Sequence, residues 1–352
     1  MTPPAGDQPA VGGGSSRGVT GWRGRRALVT GATGFVGSWL VRRLLDCGAE
    51  VTALVRAAQA ESPRVRDHGA RGARVVVGRV EDLECVRSAL AAGRVETVFH
   101  LAADNVNVGS EVSPLSLFET NIRGTYSLLE ACRGCPAVHG VILASSAEAD
   151  GGPAAAGEPA RKRHPYEVSK VSAELIARSY ADTYGLPLAI ARSDNVYGGG
   201  DFNWRRLIPG TILALHEGRR PTLRSDGTLR RDYVFVRDMV EAYLRLAERL
   251  DDAAVRGGVF HFATGIGTSA LEVVDRLGAL MERPDLEPDV TRASLGERVD
   301  RARSTERELR LLGWRSETGL EAGLAETVRW YEEHFARDEA AKSPPHQQGD
   351  RA

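Results

Sequence analysis

Short apolar runs alternate with longer segments of helical period through the first half of the chain. Apolar residues fill each short run, whereas in the longer segments they recur every three to four positions, as in amphipathic helices. The runs predict strands at Ala27–Thr30, Glu50–Val55, Arg74–Val77, Thr97–Leu101, Val141–Ser145 and Leu188–Ala191, and the longer segments predict helices that include Asp82–Ala91, Pro114–Cys132 and Pro165–Tyr184. This alternation predicts an α/β fold of Rossmann type, with a doubly wound parallel sheet.

The pattern becomes less regular after about Asn195. Residues 22–195 are predicted to form a dinucleotide-binding Rossmann domain, and residues 196–336 a smaller α/β substrate lobe whose cleft with the first domain holds the substrate. Residues 1–21, which carry Pro, Gly and Ser, and residues 337–352 are expected to be disordered tails. In the smaller lobe the predicted helices are Leu207–Glu217, Val236–Leu250, Ala270–Met281 and Leu320–Phe335, and Tyr233–Val236 and Val259–Phe262 are expected to cross between the lobes.

Composition narrows the class of protein. The 352 residues are 42% hydrophobic and 26% charged, which is ordinary for a globular protein. The formal net charge of −1 predicts no general attraction to nucleic acid or to an acidic membrane. The longest apolar runs are too short to span a bilayer, and residues 1–21 do not resemble a signal peptide. The four cysteines include one Cys132-x-x-Cys135 pair at the end of a helical segment, and free thiols in a reducing, cytoplasmic location are expected.

A glycine motif follows the first predicted strand. The sequence Gly31-Ala-Thr-Gly34-Phe-Val-Gly37 leads directly into the helical segment that begins near Ser38. A strand that turns sharply into a helix directs free backbone N–H groups and the positive helix end at one point, which suits a pyrophosphate. Glycine is required there because a side chain would block the phosphate or the packing of helix on strand. The motif therefore predicts a dinucleotide site.

A second motif supplies a candidate acid–base group. Tyr166 and Lys170 are four residues apart in a predicted helix and so share one face. Tyrosine titrates near pH ~10, and a fixed cation beside the phenol is expected to lower its pKa towards the range of a useful general base. Lysine is rare in this chain, which contains only Lys162, Lys170 and Lys342.

With these motifs the sequence resembles the extended short-chain dehydrogenase/reductase family, the NAD-dependent sugar-nucleotide epimerases and dehydratases. The resemblance extends from about Trp22 to about Phe335, and segments 113–121 and 198–204 are most similar to the CDP-glucose 4,6-dehydratase branch. It is carried by the glycine motif, His100-Leu-Ala-Ala103, Asn121-Ile-Arg-Gly-Thr125, Ser145-Ser146, Tyr166-x-x-x-Lys170, Arg192-Ser-Asp-Asn-Val-Tyr-Gly198, Arg231-Asp-Tyr-Val-Phe-Val-Arg-Asp238 and Leu312-Gly-Trp314.

The resemblance implies catalytic roles. Ser146 matches the Ser or Thr that binds the sugar hydroxyl undergoing oxidation, beside Tyr166 and Lys170. Most 4,6-dehydratases carry an acid directly after that residue, whereas this chain has Ala147, which cannot donate a proton. Glu148 is in register with the base of dehydratases and decarboxylases. The alanine favours a nucleotide-sugar epimerase that acts through a transient 4-keto sugar, with a 4,6-dehydratase as the alternative and a decarboxylase or a non-catalytic nucleotide-binding module as further ones.

The resemblance also implies binding residues. NAD is the expected cofactor; NADP is the alternative, because Arg56 stands where an acidic residue would bind the ribose of NAD. Asn195, Arg231 and Arg298 are the candidates for binding the diphosphate of a nucleotide-diphosphate sugar. A homodimer through the helices at 114–132 and 165–184 is expected, as in relatives. The predicted cofactor contacts are Gly31, Thr33, Gly34, Phe35, Val36, Gly37, Arg56, Asp82, Leu101, Ala102, Ala103, Asn121, Tyr166 and Lys170.

Overall fold

The structure is a computed structural model that describes residues 21–57, 72–104, 113–149, 164–291 and 304–342. Arg298, one of the predicted diphosphate ligands, lies outside the described residues. The same is true of the predicted tail 1–20 and of residues 343–352.

A parallel sheet forms the centre of the molecule. Among the described residues it has seven strands in the order β10-β6-β5-β4-β1-β2-β3, and every neighbouring pair is parallel. The carboxyl ends of these strands therefore meet along one edge, which is where ligands of such sheets bind. The strands are β1 (Arg26–Thr30), β2 (Glu50–Val55), β3 (Arg74–Val77), β4 (Thr97–His100), β5 (Gly140–Ser146), β6 (Leu188–Ser193) and β10 (Val259–Phe262).

Helices cover both faces of this sheet, as a doubly wound fold requires. On one face α1 (Phe35–Asp46) and α7 (Val236–Glu248) bury Leu40, Leu44 and Tyr243 against the strands. On the other face α2 (Leu83–Gly93), α4 (Gly124–Arg133) and α5 (Pro165–Tyr184) bury Val86, Leu128 and Ala177. The apolar positions that gave these helices their period are thus the positions that cover the sheet.

A second, smaller region lies beside the carboxyl edge. A short sheet joins β7 (Asn195–Tyr197) in parallel to β9 (Arg230–Phe235) and β9 in antiparallel to β11 (Gly267–Ser269), while β8 (Thr222–Leu223) pairs with β12 (Asp289–Val290). These strands have their own apolar core with the helices around them. The helices of this region are α6 (Leu207–His216), α8 (Ala270–Leu280), α9 (Glu306–Leu312) and α10 (Leu320–Lys342).

The predicted elements are present with small boundary differences. The predicted helix Pro114–Cys132 consists of α3 (Pro114–Phe118) and α4, joined by one wider π-helical turn at Glu119–Arg123. The last helix continues to Lys342, so residues 337–342 are helical where a disordered tail was expected. These six residues contain no Gly or Pro and are mostly good helix formers, so the helix has no local reason to end at Phe335. Within the described residues, no helix combines the length and apolar character needed to cross a bilayer.

Candidate active site

The glycine turn has the close contacts that make glycine necessary. Gly31 follows β1 with φ of 70°, and a Cβ on it would lie 2.7 Å from the backbone nitrogen of Ala102. A Cβ on Gly37 would lie 2.1 Å from the carbonyl oxygen of Gly31. Gly34 caps α1, and within the described chain no side chain occupies that cap, so the first amides of the helix face the turn. This geometry suits a bound anion.

The next strand supplies the opposite wall of the turn. The backbone N–H groups of Leu101 and Ala102 donate to the carbonyl and hydroxyl oxygens of Thr30, at 3.2 Å each. Residues 101–103, predicted as cofactor contacts, therefore lie directly beside the glycine turn. This proximity follows from the pairing of β1 with β4 in the central sheet.

Asn121 lies in the π-helical turn and is 2% exposed. Its Oδ1 accepts from the backbone N–H of Asp104 at 2.8 Å, and its Nδ2 donates to the Asp104 carbonyl and to the Ser169 hydroxyl, both at 2.9 Å. Both amide hydrogens therefore bind protein groups. Asn121, a predicted cofactor contact, thus joins the loop after β4 to the helix that carries Tyr166.

A buried series of hydrogen-bonded residues supports the same part of the site. The Thr125 hydroxyl donates to the Asn121 carbonyl at 2.6 Å, so it accepts from Nε2 of His100 at 3.1 Å. His100 Nδ1 must then accept from the Thr30 hydroxyl at 2.8 Å. Burial lowers the pKa of His100 to about 3, which agrees with this neutral ring. Each hydrogen bond in this series has one consistent donor and acceptor, so the series is a fixed support beneath Ala102.

The structure brings Ser146, Tyr166 and Lys170 together at the carboxyl edge of the sheet. Ser146 ends β5, its hydroxyl accepts from the backbone N–H of Glu148 at 3.2 Å, and its side chain lowers the pKa of Tyr166. Lys170 Nζ lies 5.9 Å from the centre of the Tyr166 ring and donates to the carbonyl oxygen of Ala144 at 3.0 Å. Helix α5, which carries both Tyr166 and Lys170, begins at Pro165. The His164 side chain caps this helix by accepting from the Tyr166 backbone N–H.

The electrostatics of Tyr166 differ from the sequence-based prediction. Lys170 was expected to lower the pKa of the phenol, but burial and the negative charge of Glu148 raise that pKa to about 12. The positive charge of Arg206 and the Ser146 side chain act in the opposite direction. Lys170 has little effect because its ammonium binds Ala144 and lies beside the ring. Burial also lowers the pKa of Lys170 itself, to about 8.

A cavity of about 940 Å³ opens in front of these groups. Ser146, Glu148 and Tyr166 line one side, and Val36 brings the glycine turn to the same space. Positive charge comes from lining residues of the second region, which within the described chain include Arg205, Arg206, Arg219, Arg220, Arg224 and Arg231. The cavity is large enough for a nucleotide sugar and its arginines suit a diphosphate.

Comparison with known proteins now decides the family. The model of the NAD dependent epimerase/dehydratase family matches residues 27–261. The chain belongs to this family. NAD is the cofactor of the family, and the glycine turn of this member fits it: a Cβ at Gly31 or Gly37 would fill the space of the turn, and the start of α1 presents its amides there.

Relatives in the family catalyse different reactions. The chain is 32% identical over 334 residues to a dTDP-4-dehydro-6-deoxy-D-allose reductase of Streptomyces sp, covering 89% of this chain and 98% of that protein. It is 31% identical over 322 residues to the UDP-glucose 4-epimerase of Mycolicibacterium smegmatis, covering 87% and 98%. With the CDP-glucose 4,6-dehydratase of Salmonella typhimurium it shares 31% identity over 248 residues, covering 65% and 68%. It spans about half the length of the trifunctional dehydratase/epimerase/reductases of Arabidopsis thaliana.

A solved structure shows the same architecture. The dTDP-glucose 4,6-dehydratase of Streptomyces venezuelae, determined with NAD bound, superposes with a TM-score of 0.76 at 27% identity, over 89% of this chain and 98% of that one. The Rossmann fold with a smaller second region is therefore the fold of an NAD-binding relative as well. The fold does not separate the reactions, because they are performed by side chains placed on it.

Two predicted cofactor residues make contacts with protein groups. Asp82 caps α2, and its carboxylate accepts from the backbone N–H groups of Glu84 and Cys85 at 3.0 and 3.2 Å. Arg56 follows β2, is half exposed, and donates to the Asp104 carboxylate at 3.3 Å. Asp82 therefore acts as the N-cap of α2.

On the substrate side, Asn195 and Arg231 both line the cavity, and Asn195 Nδ2 donates to the carbonyl of Asp232 at 3.1 Å. Sequence reasoning missed Arg206, whose charge acts on Tyr166. Its only local signal is the pair Arg205-Arg206 before the apolar segment of α6. A pair of arginines before a helix is too common in this arginine-rich chain to have identified it.

Proposed function

We propose that this chain is an NAD-dependent nucleotide-sugar epimerase that acts through a transient 4-keto sugar. The observation that carries the proposal is that Ser146 and Tyr166 line one arginine-containing cavity and that Ala147 follows Ser146. Ala147 is buried and has no proton to donate, so the position after Ser146 cannot expel a hydroxyl from C6. Reversal of configuration at C4 needs no such acid.

In this mechanism the C4 hydroxyl of the sugar lies between Ser146 and Tyr166. Ser146 binds and orients the hydroxyl, and the Tyr166 oxygen takes its proton as the C4 hydrogen leaves. Bound NAD would supply the hydride acceptor and donor that this oxidation and re-reduction require. Arg206 and Ser146 favour the phenolate, in opposition to burial and Glu148. After the ketosugar turns over in the cavity, Tyr166 gives the proton back to the C4 oxygen, and the configuration is inverted because the hydrogen returns to C4 on the opposite face of the ring.

The arginines of the cavity position the rest of the substrate. Arg205 and Arg224 are exposed to the cavity, and Arg231 lines it beside Asn195. Guanidinium groups bind phosphate oxygens through paired hydrogen bonds. We assign the diphosphate to these arginines and infer that residues 196–336, apart from α7, which packs on the central sheet, and β10, which is a strand of it, act as the substrate lobe. The nucleotide would thus be held while the sugar is free to rotate at the Ser146–Tyr166 end.

The reaction is tested by incubating the purified chain and NAD with a panel of UDP-, dTDP-, CDP- and GDP-hexoses. Chromatography and mass spectrometry then read each product. An isomer of unchanged mass supports the epimerase. Loss of water from the substrate instead identifies the dehydratase, and loss of carbon dioxide from a uronic acid identifies a decarboxylase.

A second candidate is an NDP-hexose 4,6-dehydratase, with CDP-glucose as one substrate. Glu148 favours it, because this carboxylate lines the cavity and its charge acts on Tyr166. It could take the C5 proton of a 4-keto sugar. Incubation in deuterated water separates the two reactions: a dehydratase exchanges the C5 hydrogen with solvent, whereas a 4-epimerase leaves it in place. A non-catalytic nucleotide-binding module would produce neither change.

We also propose a homodimer in a reducing, cytoplasmic location. Leu115, Tyr126, Val168 and Leu175 are exposed apolar residues on α3, α4 and α5, which form one helical layer. A second copy of this layer would cover them. The cysteines at 47, 85, 132 and 135, all in the described part of the chain, form no disulfide, in agreement with a reducing location. Light scattering tests the dimer: Leu175→Glu should produce monomers, whereas Leu309→Glu, an exposed leucine elsewhere, should not.

A further inference from the structure

A buried ion pair lies one turn beyond Lys170. The Glu174 carboxylate receives two hydrogen bonds from Arg192, from Nε at 2.8 Å and from Nη2 at 2.5 Å. The hydroxyl of Ser145 donates to the same carboxylate at 2.5 Å. The side chains of Glu174 and Arg192 are only 6% and 13% exposed. The pair therefore fastens α5 to β5 and β6 at the edge of the active site.

The same helix turn carries Lys170. Residues four apart lie on one face of a helix, so Glu174 follows Lys170 on the side that meets the sheet. Lys170 binds the Ala144 carbonyl, and Glu174 binds the hydroxyl of the adjacent Ser145. Two neighbouring residues of β5 thus hold two successive turns of α5. The ammonium and the carboxylate both face this strand.

The other ionisable groups around Lys170 do not offset its burial. Tyr166 precedes it on the helix and has a raised pKa, so the phenol is uncharged. His100, on β4, is neutral because burial and the charge of Lys170 lower its pKa to about 3. Glu174 is the group whose charge raises the pKa of Lys170 against the effect of burial. Arg192 binds the Glu174 carboxylate, and its Nη1 lies 3.4 Å from Nε2 of His261.

We propose that Glu174 is a positioning residue for Lys170: held on the sheet by Arg192 and Ser145, its carboxylate keeps the ammonium of Lys170 charged and bound to Ala144. This role rests on the proposed function, in which Tyr166 exchanges a proton with the sugar while the Lys170 ammonium lies 5.9 Å from the centre of its ring. Arg192 is necessary to the arrangement because it binds the carboxylate in two places and prevents a direct Lys170–Glu174 ion pair, which would draw the ammonium away from Ala144 and from the phenol.

The lysine content of the chain allows a direct test. Lys162, Lys170 and Lys342 are the lysines of the sequence. The full-length chain with Lys162→Arg and Lys342→Arg therefore has a single lysine, and carbon-13 at its Cε gives one side-chain resonance whose titration reports the ionisation of Lys170. The midpoint expected for the otherwise unaltered chain is about 8.

The two halves of the ion pair should shift this midpoint in opposite directions. Glu174→Gln removes the negative charge and should lower the midpoint, whereas Arg192→Gln leaves an unpaired carboxylate beside Lys170 and should raise it, each by about half a pH unit or more. Loosening of the structure alone would hydrate the lysine in both variants and raise both midpoints. Shifts in the same direction, or no shift in Glu174→Gln, would overturn the proposal.

Three further variants complete the test. Glu174→Asp retains the charge and should give a midpoint between those of the unaltered chain and Glu174→Gln. Glu130→Gln, which alters an ion pair elsewhere on the chain, should leave the midpoint unchanged. If a single variant does not fold, the double variant Glu174→Gln/Arg192→Gln leaves no unpaired charge, and its midpoint must still lie below that of the unaltered chain.

The titration requires no substrate. If the chain fails to convert any nucleotide sugar, the proposed function fails while the order of the midpoints can still hold. In an active enzyme, the rate should fall at alkaline pH as Lys170 loses its charge. The midpoint of this fall should lie at lower pH in Glu174→Gln and at higher pH in Arg192→Gln. Opposite movements of that midpoint would show that the charge of Lys170 serves the reaction.

Discussion

The two sides of the active site are held in different ways. The side predicted to hold the cofactor is built on the pairing of neighbouring parallel strands, as when the N–H of Leu101 donates to the carbonyl of Thr30, and buried side chains such as Asn121 support it. The substrate side is a loop held by side chains from distant helices: Trp39 donates to the carbonyl of Gly199 at 2.8 Å, and Tyr331 donates to that of Asp201 at 2.5 Å. Sheet geometry thus determines one side and individual side chains determine the other. Relatives can therefore keep the cofactor chemistry while changing substrate and reaction.

The largest effect is expected where the two sides meet. Tyr166→Phe removes the hydroxyl that exchanges the proton, so kcat should fall by about 10²-fold or more. Binding of NAD and of UDP, measured by calorimetry, should change little, because the ring and its packing remain. Unchanged turnover in this variant would show that the chain does not use the phenol, and loss of both binding events would indicate a structural function.

On the cofactor side, Gly37→Ala should weaken NAD binding by about 10- to 100-fold. The added Cβ would lie 2.1 Å from the Gly31 carbonyl oxygen, and forcing such a contact costs about 1–3 kcal/mol. Calorimetry measures the affinity, and NAD should raise the melting temperature of this variant less than that of the original chain.

Gly319→Ala is the matched control for Gly37→Ala, since a Cβ at Gly319 meets no atom within 4 Å. Its affinity for NAD should equal that of the original chain. If Gly37→Ala bound NAD as tightly as the original chain does, the glycine turn would not be the pyrophosphate site.

On the substrate side, Gly199→Ala should raise KM for the nucleotide sugar by about tenfold, with a smaller change in NAD affinity. Its Cβ would lie 2.2 Å from the Trp330 ring, and the affected atoms are close to the helix backbone, so α10 or the loop must move. Steady-state kinetics measure KM and calorimetry measures NAD. An effect on NAD larger than that on KM would contradict the division into two sides.

The smallest expected effect is a shift in the pH dependence of the rate, caused by charges that change the pKa of Tyr166. Arg206 lowers the pKa of Tyr166 and Glu148 raises it. The reaction rate should rise with pH as the phenol ionises. The midpoint of this rise should therefore move to higher pH in Arg206→Gln and to lower pH in Glu148→Gln, by a few tenths to about one pH unit. Arg205→Gln, the adjacent arginine, is the control and should not move it. Equal profiles in all three variants would remove Arg206 from the site.

Local chain signals determined much of the fold. The strands at Glu50–Val55 and Arg74–Val77 and the helix Pro165–Tyr184 have the predicted bounds, because apolar runs, helical period and capping residues are properties of adjacent residues. The glycine turn was predictable for the same reason. The π-helical turn at Glu119–Arg123 was not, since it serves the contacts of Asn121 with a loop and another helix.

The sequence alone therefore determined the α/β alternation, the glycine turn and the placement of Tyr166 and Lys170 on one helix face. Only the tertiary structure decided that burial outweighs Lys170 in the pKa of Tyr166, that Arg206 reaches the phenol, and that Glu174 and Arg192 form a pair behind the lysine. The physical reason is range. Periodicity and turns depend on neighbours along the chain, whereas desolvation and ion pairing depend on groups that only folding brings together.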